Sequence, residues 1–186
     1  PWEWHYKLQK IANDLGLDFF SSPFDVDAVN KLESLDPPAY KIASLEITDI
    51  PLIRRVARTG KPIILSTGIA EEDDIELAVN TIRKEGNEQI ALLKCTAAYP
   101  SPYSEINLNA IPLLKEKYNA VPGLSDHTLG IAMPVAAVAK GARIIEKHFI
   151  LDKEIPSVDR EFSLDPGEFE KMVQAVRQVE QALGEA

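Results

Sequence analysis

Short, nearly continuous apolar runs alternate along this chain with stretches whose apolar residues recur every three or four positions, the signatures of buried strands and amphipathic helices. Trp4, Leu8, Ile11, Ala12 and Leu15 have helical spacing, and Gly16 follows as a stop. Leu17 to Ser22 reads as a short strand that ends in hydroxyls before Pro23. Val29, Leu32 and Leu35 mark the next helix, with Asp25 as its N-cap. Ala39 to Ser44 is the second strand. Thr48 or Asp49 caps a helix that begins near Pro51 and buries Ile53 and Val56. Lys61 to Gly68 is the third strand and its turn, followed by a helical face of Ile75, Ala78, Val79 and Ile82. Ile90 to Thr96 is the fourth strand, and the loop Tyr99-Pro100-Ser101-Pro102 leads to a helix carrying Ile111 and Leu114. Gly123 to Thr128 and Ile144 to Phe149 are the last two strands, separated by a helix around Ile131 to Lys140. After a loop from Leu151 to Ser163, the final helix opens with an Asp165 N-cap, Pro166 at its first position and a capping-box Glu168.

Six strand-helix units of roughly thirty residues have the size of βαβ units. Apolar strands joined by helices predict an α/β fold with a parallel sheet covered by helices. Six units fit an open doubly wound sheet or most of an eight-unit barrel, and periodicity does not choose between them. No linker or internal boundary is visible, so residues 1–186 read as a single domain.

Composition narrows the functional classes. With 45% apolar and 26% charged residues, the 186-residue chain suits a soluble globular protein. A net charge of −9 argues against nucleic acid or an anionic membrane as partner. A local cluster of lysine and hydroxyl groups still binds a small anion. Cys95 is the one cysteine, which excludes an internal disulfide and suits a reducing, cytoplasmic setting. No run is long enough to span a bilayer, and no signal peptide is visible. The chain begins at Pro1-Trp2 inside a helical pattern, and is expected to be a piece of a longer protein.

Two of the three histidines, His127 and His148, close successive strands at equivalent places. Alternate residues of a strand share a face, so Ser125 pairs with His127 and Glu146 with His148. If the strands are neighbours, the imidazoles converge. They then form either a divalent-metal site or a pair of hydrogen-bonded core histidines. Ser22, Ser44, Ser66, Thr96 and Ser125 also fall at strand ends. In a parallel barrel those ends make one rim, where hydroxyls and helix N-termini cradle phosphate. The plain alternative is that serine and threonine suit turns. Lys41 lies inside an apolar strand and reads as an anion clamp or as a lysine reaching outward. Glu146 either orients the histidine site or pairs with Lys41. Lys94 and Lys147 point to the opposite face and are expected to be solvated, and Asp126 also faces away from His127. Asp159, in the loop after the last strand, is placed to reach a sugar hydroxyl or serves only as a turn residue.

These stretches resemble the sialic acid synthase family, which condenses phosphoenolpyruvate with an aminosugar to give nine-carbon keto acids. The resemblance is carried by Phe20-Ser21-Ser22-Pro23-Phe24, Lys41-Ile42-Ala43-Ser44, Leu65-Ser66-Thr67-Gly68, Cys95 to Pro100, Gly123 to Thr128 and Ile145 to Phe149. It implies a (β/α)8 TIM barrel, with this chain supplying strands three to eight. It also implies that Ser22, Lys41, Ser44, Ser66 and Ser125 hold phosphoenolpyruvate and that Tyr99 and Asp159 contact the sugar. His127 and His148 would then bind Mn²⁺, or Mg²⁺ or Co²⁺ in its place. Thr96-Ala97-Ala98-Tyr99 stands where sialic acid synthases usually have Thr-Asn-Ile-Tyr. That departure looks more like the pseudaminic acid synthase branch, with N-acetylneuraminate and legionaminic acid synthases as the alternatives. The family's catalytic glutamate and a further phosphate-binding lysine belong to strands one and two. Its C-terminal antifreeze-like domain reaches the partner subunit's site in a homodimer. None of these is in the chain, so the 186 residues alone are expected to be inactive.

The runner-up enzyme is a class I aldolase with Lys41 as Schiff-base nucleophile, which needs no metal. A barrel fragment acting as a binding or assembly module is the non-enzymatic reading.

Overall fold

Each helix of the computed structural model, which describes residues 1–184, starts or stops where local chemistry directs it. Helix α1 spans Glu3–Asp14, and Gly16 follows it at φ 72°, a conformation that suits glycine. Helix α2, Val26–Glu33, begins where the Asp25 carboxylate accepts the Ala28 N–H at 2.6 Å. Strand β1, Tyr40–Ile42, runs into a 3-10 turn at Ser44–Thr48. Asp49 then caps α3, Ile50–Ala57, by accepting the Leu52 N–H at 3.0 Å. The remaining elements are β2, Ile63–Ser66; α4, Glu72–Lys84; β3, Ile90–Cys95; α5, Ala110–Tyr118; β4, Val121–Asp126; α6, Ala132–Ala139; β5, Ile144–Lys147; and α7, Pro166–Leu183. The capping box predicted at Asp165 and Glu168 is formed, with both hydrogen bonds made.

The sheet order is β1-β2-β3-β4-β5. The ladders of β1 with β2 and of β4 with β5 are parallel. Strand order that follows chain order, with a helix in every connection, is the α/β arrangement expected from the hydrophobic pattern.

Five strands form among the described residues, one fewer than expected. Residues 17–22 carry no ladder, and Leu17 and Phe20 remain 61% and 39% exposed. Extended apolar sequence becomes a strand only when a neighbouring backbone takes up its N–H and C=O groups. Ser22 therefore lies in an irregular segment, half-buried, rather than at a strand end.

The described residues fall into two compact units. The first comprises Pro1–Leu65 and Ala70–Ala91. Its core gathers Val29, Leu32, Ile42, Ile53, Val56, Ile63 and Ile82, all 2% exposed or less. Helix α1 buries no residue completely, and Trp4, Leu8, Ile11 and Leu15 stay exposed. The second unit comprises Ser66–Ile69 and the residues from Leu92 onward. Its core includes a cluster of Ile106, Ile111, Leu124, Ala137 and Ala142 between α5, β4 and α6. Gly123 permits the close approach of β4 to its neighbours, since a Cβ there would lie 2.4 Å from Leu93 Cδ2 and 2.6 Å from the Ile144 carbonyl oxygen. No helix among the described residues is long and apolar enough to cross a membrane.

Candidate active site

The parallel ladder between β4 and β5 places Ser125 opposite Glu146 and Asp126 opposite Lys147. The residue that follows each strand is a histidine, His127 after β4 and His148 after β5. Their ring centroids lie 5.2 Å apart, as expected for two side chains on one face of neighbouring strands. On the same face, one step towards the strand interior, the Ser125 hydroxyl donates to Glu146 Oε1 at 2.6 Å. Glu146 is thus tied to Ser125.

The two imidazoles are held differently. His127 is 5% exposed, and its Nδ1 lies 3.2 Å from the Thr96 carbonyl oxygen. That partner assigns the proton to Nδ1 and leaves Nε2 with a lone pair. Burial keeps the His127 pKa below its ordinary value, against the opposing pull of the Thr96 carbonyl, and His148 adds to the lowering. His148 is more open, and its Nδ1 lies 3.6 Å from Asp159 Oδ2. Asp159 is therefore beside a histidine, in the position of a carboxylate that orients an imidazole.

Aromatic rings enclose this pair. Tyr99 lies over His127 with 4.2 Å between centroids, and burial raises its phenol pKa, with lesser contributions from Cys95, Glu146 and Asp159. Phe162, only 3% exposed, sits edge-on to His148 at 4.9 Å and to His127 at 6.1 Å. Cys95 Sγ approaches His127 Nδ1 at 4.0 Å.

The pair meets the chemical requirements of a divalent-metal site in part. Burial keeps one imidazole neutral, and its Nε2 is left with a free lone pair. The other imidazole has a carboxylate beside it. No group of three or more histidine, cysteine, aspartate or glutamate side chains suited to a metal occurs among the described residues. An ion held by His127 and His148 would take its other ligands from substrate or water.

Ser66 supplies a second clue. It is 2% exposed at the end of β2, and its Oγ has no hydrogen-bond partner. A buried hydroxyl without a partner is a feature that calls for an explanation, and a ligand is one. Thr67 and Thr96 point their hydroxyls elsewhere. Thr67 donates to the Leu93 carbonyl, and Thr96 donates to the Glu105 carbonyl and accepts from Lys94.

The other expected anion-binding residues belong to the first unit. Lys41 is 7% exposed within β1, and its ammonium donates to the Ile42 carbonyl at 3.2 Å. It does not reach outward to solvent. Ser44 is buried and opens the 3-10 turn.

Two expectations about the opposite strand face need correction. Lys147 is not solvated. Its side chain is wholly buried in an ion pair with an equally buried Asp126, at 2.7 Å. Lys94 folds its ammonium onto the Cys95 carbonyl and the Thr96 hydroxyl, and burial lowers its pKa. In both cases the strand end supplies backbone acceptors, so the ammonium need not extend to water. The sequence reading also passed over Phe162, a lone large aromatic in a polar loop, and Glu46, whose Oε2 is buried without a partner in the turn after Ser44.

The sequence profile of the NeuB family matches residues 1–186, the whole chain. This chain belongs to the NeuB family. A pseudaminic acid synthase of Campylobacter jejuni is 49% identical over 185 residues, which cover 100% of this chain and 54% of that protein. An N,N'-diacetyllegionaminic acid synthase of the same species is 42% identical, over 97% of this chain and 55% of its own length. The crystal structure of a sialic acid synthetase from Leptospira borgpetersenii, in complex with citrate, superposes with a TM-score of 0.97 at 36% identity. The match covers 100% of this chain and 65% of that one. The chain thus spans about half the length of the curated NeuB relatives it matches.

Proposed function

We propose that this chain is part of a phosphoenolpyruvate-dependent nonulosonic acid synthase, and that the acid made is pseudaminic acid. In this reading the five strands belong to a (β/α)8 barrel, and the working enzyme is a cytoplasmic homodimer. The observation that carries the proposal is the His127–His148 pair at matched positions after β4 and β5, in a NeuB chain. The higher identity to the pseudaminic than to the legionaminic acid synthase favours the former sugar.

His127 and His148 would hold a divalent ion, Mn²⁺ first among candidates and Mg²⁺ or Co²⁺ after it. When bound, such an ion supplies Lewis acidity to the carbonyl of the open-chain sugar. The chain's own contribution is orientation and exclusion of water. The Thr96 carbonyl fixes the His127 tautomer, and Asp159 steadies His148. Tyr99 and Phe162 shield both rings, and in this reading Tyr99 and Asp159 would also contact the aminosugar.

Lys41, Ser22, Ser44, Ser66 and Ser125 hold phosphoenolpyruvate in this reading. Ser66 offers an unspent hydroxyl proton, since its Oγ has no protein partner. Ser125 spends its only proton on Glu146, so engaging the anion requires that proton to turn away from the carboxylate. With both reactants so held, the methylene carbon of phosphoenolpyruvate attacks the sugar aldehyde carbon. Water adds to the former enol carbon, and C–O cleavage releases phosphate. Orientation and charge stabilisation are the catalytic terms these side chains supply.

The test is phosphate release from phosphoenolpyruvate by the enzyme carrying this chain, with Mn²⁺ present. The diacetamido-trideoxy-altrose is compared with the precursor sugars of legionaminic and N-acetylneuraminic acids. A kcat/KM preference of about tenfold or more for the altrose sugar is expected. Preference for another sugar reassigns the product. No phosphate release with any of them, together with covalent trapping at Lys41 by borohydride, would establish the aldolase reading instead.

A further inference from the structure

Behind the two histidines, on the opposite strand face, lies a feature that stability alone does not explain. Asp126 and Lys147 are both wholly buried and form an ion pair at 2.7 Å. Removing two charges from water costs about what their attraction returns, and well-packed apolar residues often serve the fold as well or better. A buried pair at such a place points to a geometric task.

Its connections show what that task is. The Asp126 Oδ1 accepts the Thr128 N–H at 3.0 Å, which makes a tight turn with His127 at its apex. The Lys147 ammonium donates to Asp126 Oδ2 and also to the Thr128 carbonyl. One ammonium therefore grips both residues that flank His127. The same lysine immediately precedes His148 and pairs in register with Asp126. The backbone beyond is pinned as well, since the His127 carbonyl accepts from the Ser101 N–H at 3.0 Å and the His148 carbonyl from the Leu164 N–H at 2.9 Å.

We propose that Asp126 and Lys147 are positioning residues, whose buried ion pair sets the separation and orientation of the His127 and His148 imidazoles. The inference deepens the metal-site reading and rests on it for one of its two readouts. The other readout needs no metal.

The test uses the double variant Asp126→Asn, Lys147→Met, which removes both charges and keeps an acceptor for the Thr128 N–H. The first readout is the histidine ¹⁵N–¹H spectrum of the metal-free protein. The wild type is expected to hold His127 as a single tautomer protonated on Nδ1, and the folded double variant to show a mixture of tautomers. The second readout is Mn²⁺ affinity by calorimetry, expected to fall by roughly 10- to 100-fold, the range seen when groups that orient metal ligands are lost. A folded double variant with an unchanged imidazole spectrum and unchanged Mn²⁺ affinity overturns the proposal. Asp126→Asn alone is the second variant. If both variants fail to fold, the pair is a folding requirement rather than a positioning device, and the proposal is likewise overturned. A wild type that binds no Mn²⁺ defeats the metal reading only, because the imidazole spectrum still decides the positioning role.

Discussion

At the scale of single residues, close approach and unpaired polar groups decide the consequences. Gly123 faces Leu93 Cδ2 and the Ile144 carbonyl so closely that any side chain must displace backbone. Gly123→Ala is expected to destabilise the chain by about 2 kcal/mol or more, the cost of overpacking at a site that cannot relax. Chemical denaturation measures this, and a change within about 0.5 kcal/mol of zero would mean that β4 and β5 yield there. Tyr40 offers a pH-dependent case. It is 1% exposed, its hydroxyl has no hydrogen-bond partner, and its pKa is pushed up to about 12, first by burial and then by Glu33. Above pH 10 the unfolded chain loses this proton before the folded chain does. Folded protein then binds more protons, and stability falls as pH rises from 10 towards 12, by about 2 kcal/mol. Tyr40→Phe should abolish that part of the decline while leaving stability at pH 7 equal or slightly higher, because the unpartnered hydroxyl is gone. Denaturation midpoints across this pH range provide the measurement. An equally steep decline in the variant would place the titrating group elsewhere.

At the scale of elements, helix starts are set by side chains that the backbone requires. The last helix, α7, has a complete capping box at Asp165 and Glu168, and Lys153 strengthens it by pairing with Glu168 at 2.6 Å. That pairing lowers the Glu168 pKa, together with the backbone N–H of Asp165 and against a smaller effect of burial. Asp165→Ala removes the acceptor for the Glu168 N–H and is expected to cost about 1 kcal/mol. Amide exchange should quicken in the first turn of α7 before it does elsewhere in that helix. Unaltered exchange would show that Pro166 and the packing of Met172 hold the helix start unaided. Strands follow another rule. Residues 17–22 have a strand's composition, yet only residues whose backbone meets a partner joined the sheet.

At the scale of the whole molecule, ligand binding and folding share one free energy. If the histidine pair takes Mn²⁺, the ion stabilises the folded state by RT ln(1 + [L]/Kd), about 2.7 kcal/mol at a hundredfold excess over Kd. The melting temperature of the enzyme carrying this chain should therefore rise with Mn²⁺ at pH 7.5. The rise should shrink in acid, because protons compete with a metal for imidazole nitrogen. His127→Ala and His148→Ala should each remove most of the effect. A Mn²⁺-dependent rise that survives in both variants would place the ion elsewhere in the protein.

Hydrophobic periodicity and capping residues are local, and so they are legible in the sequence. They placed the seven helices of the described residues closely, named Asp25 and Asp165 as caps, offered Thr48 or Asp49 where the structure uses Asp49, and made the α/β class plain. Alternation along strands was enough to put Ser125 with His127 and Glu146 with His148 on shared faces. Register is another matter, because it depends on which strands become neighbours and how far each slides. Only the folded sheet set Asp126 opposite Lys147, brought the His127 and His148 rings together and joined Ser125 to Glu146. The same limit explains the misjudged lysines. An ammonium on the outer face of a strand reads as solvated until the fold brings a carboxylate and free carbonyls to it, as Asp126 and Thr128 do for Lys147. Whether a polar side chain meets water or a partner depends on residues distant in the chain. The sequence therefore determined which groups were available, and tertiary packing decided which of them met.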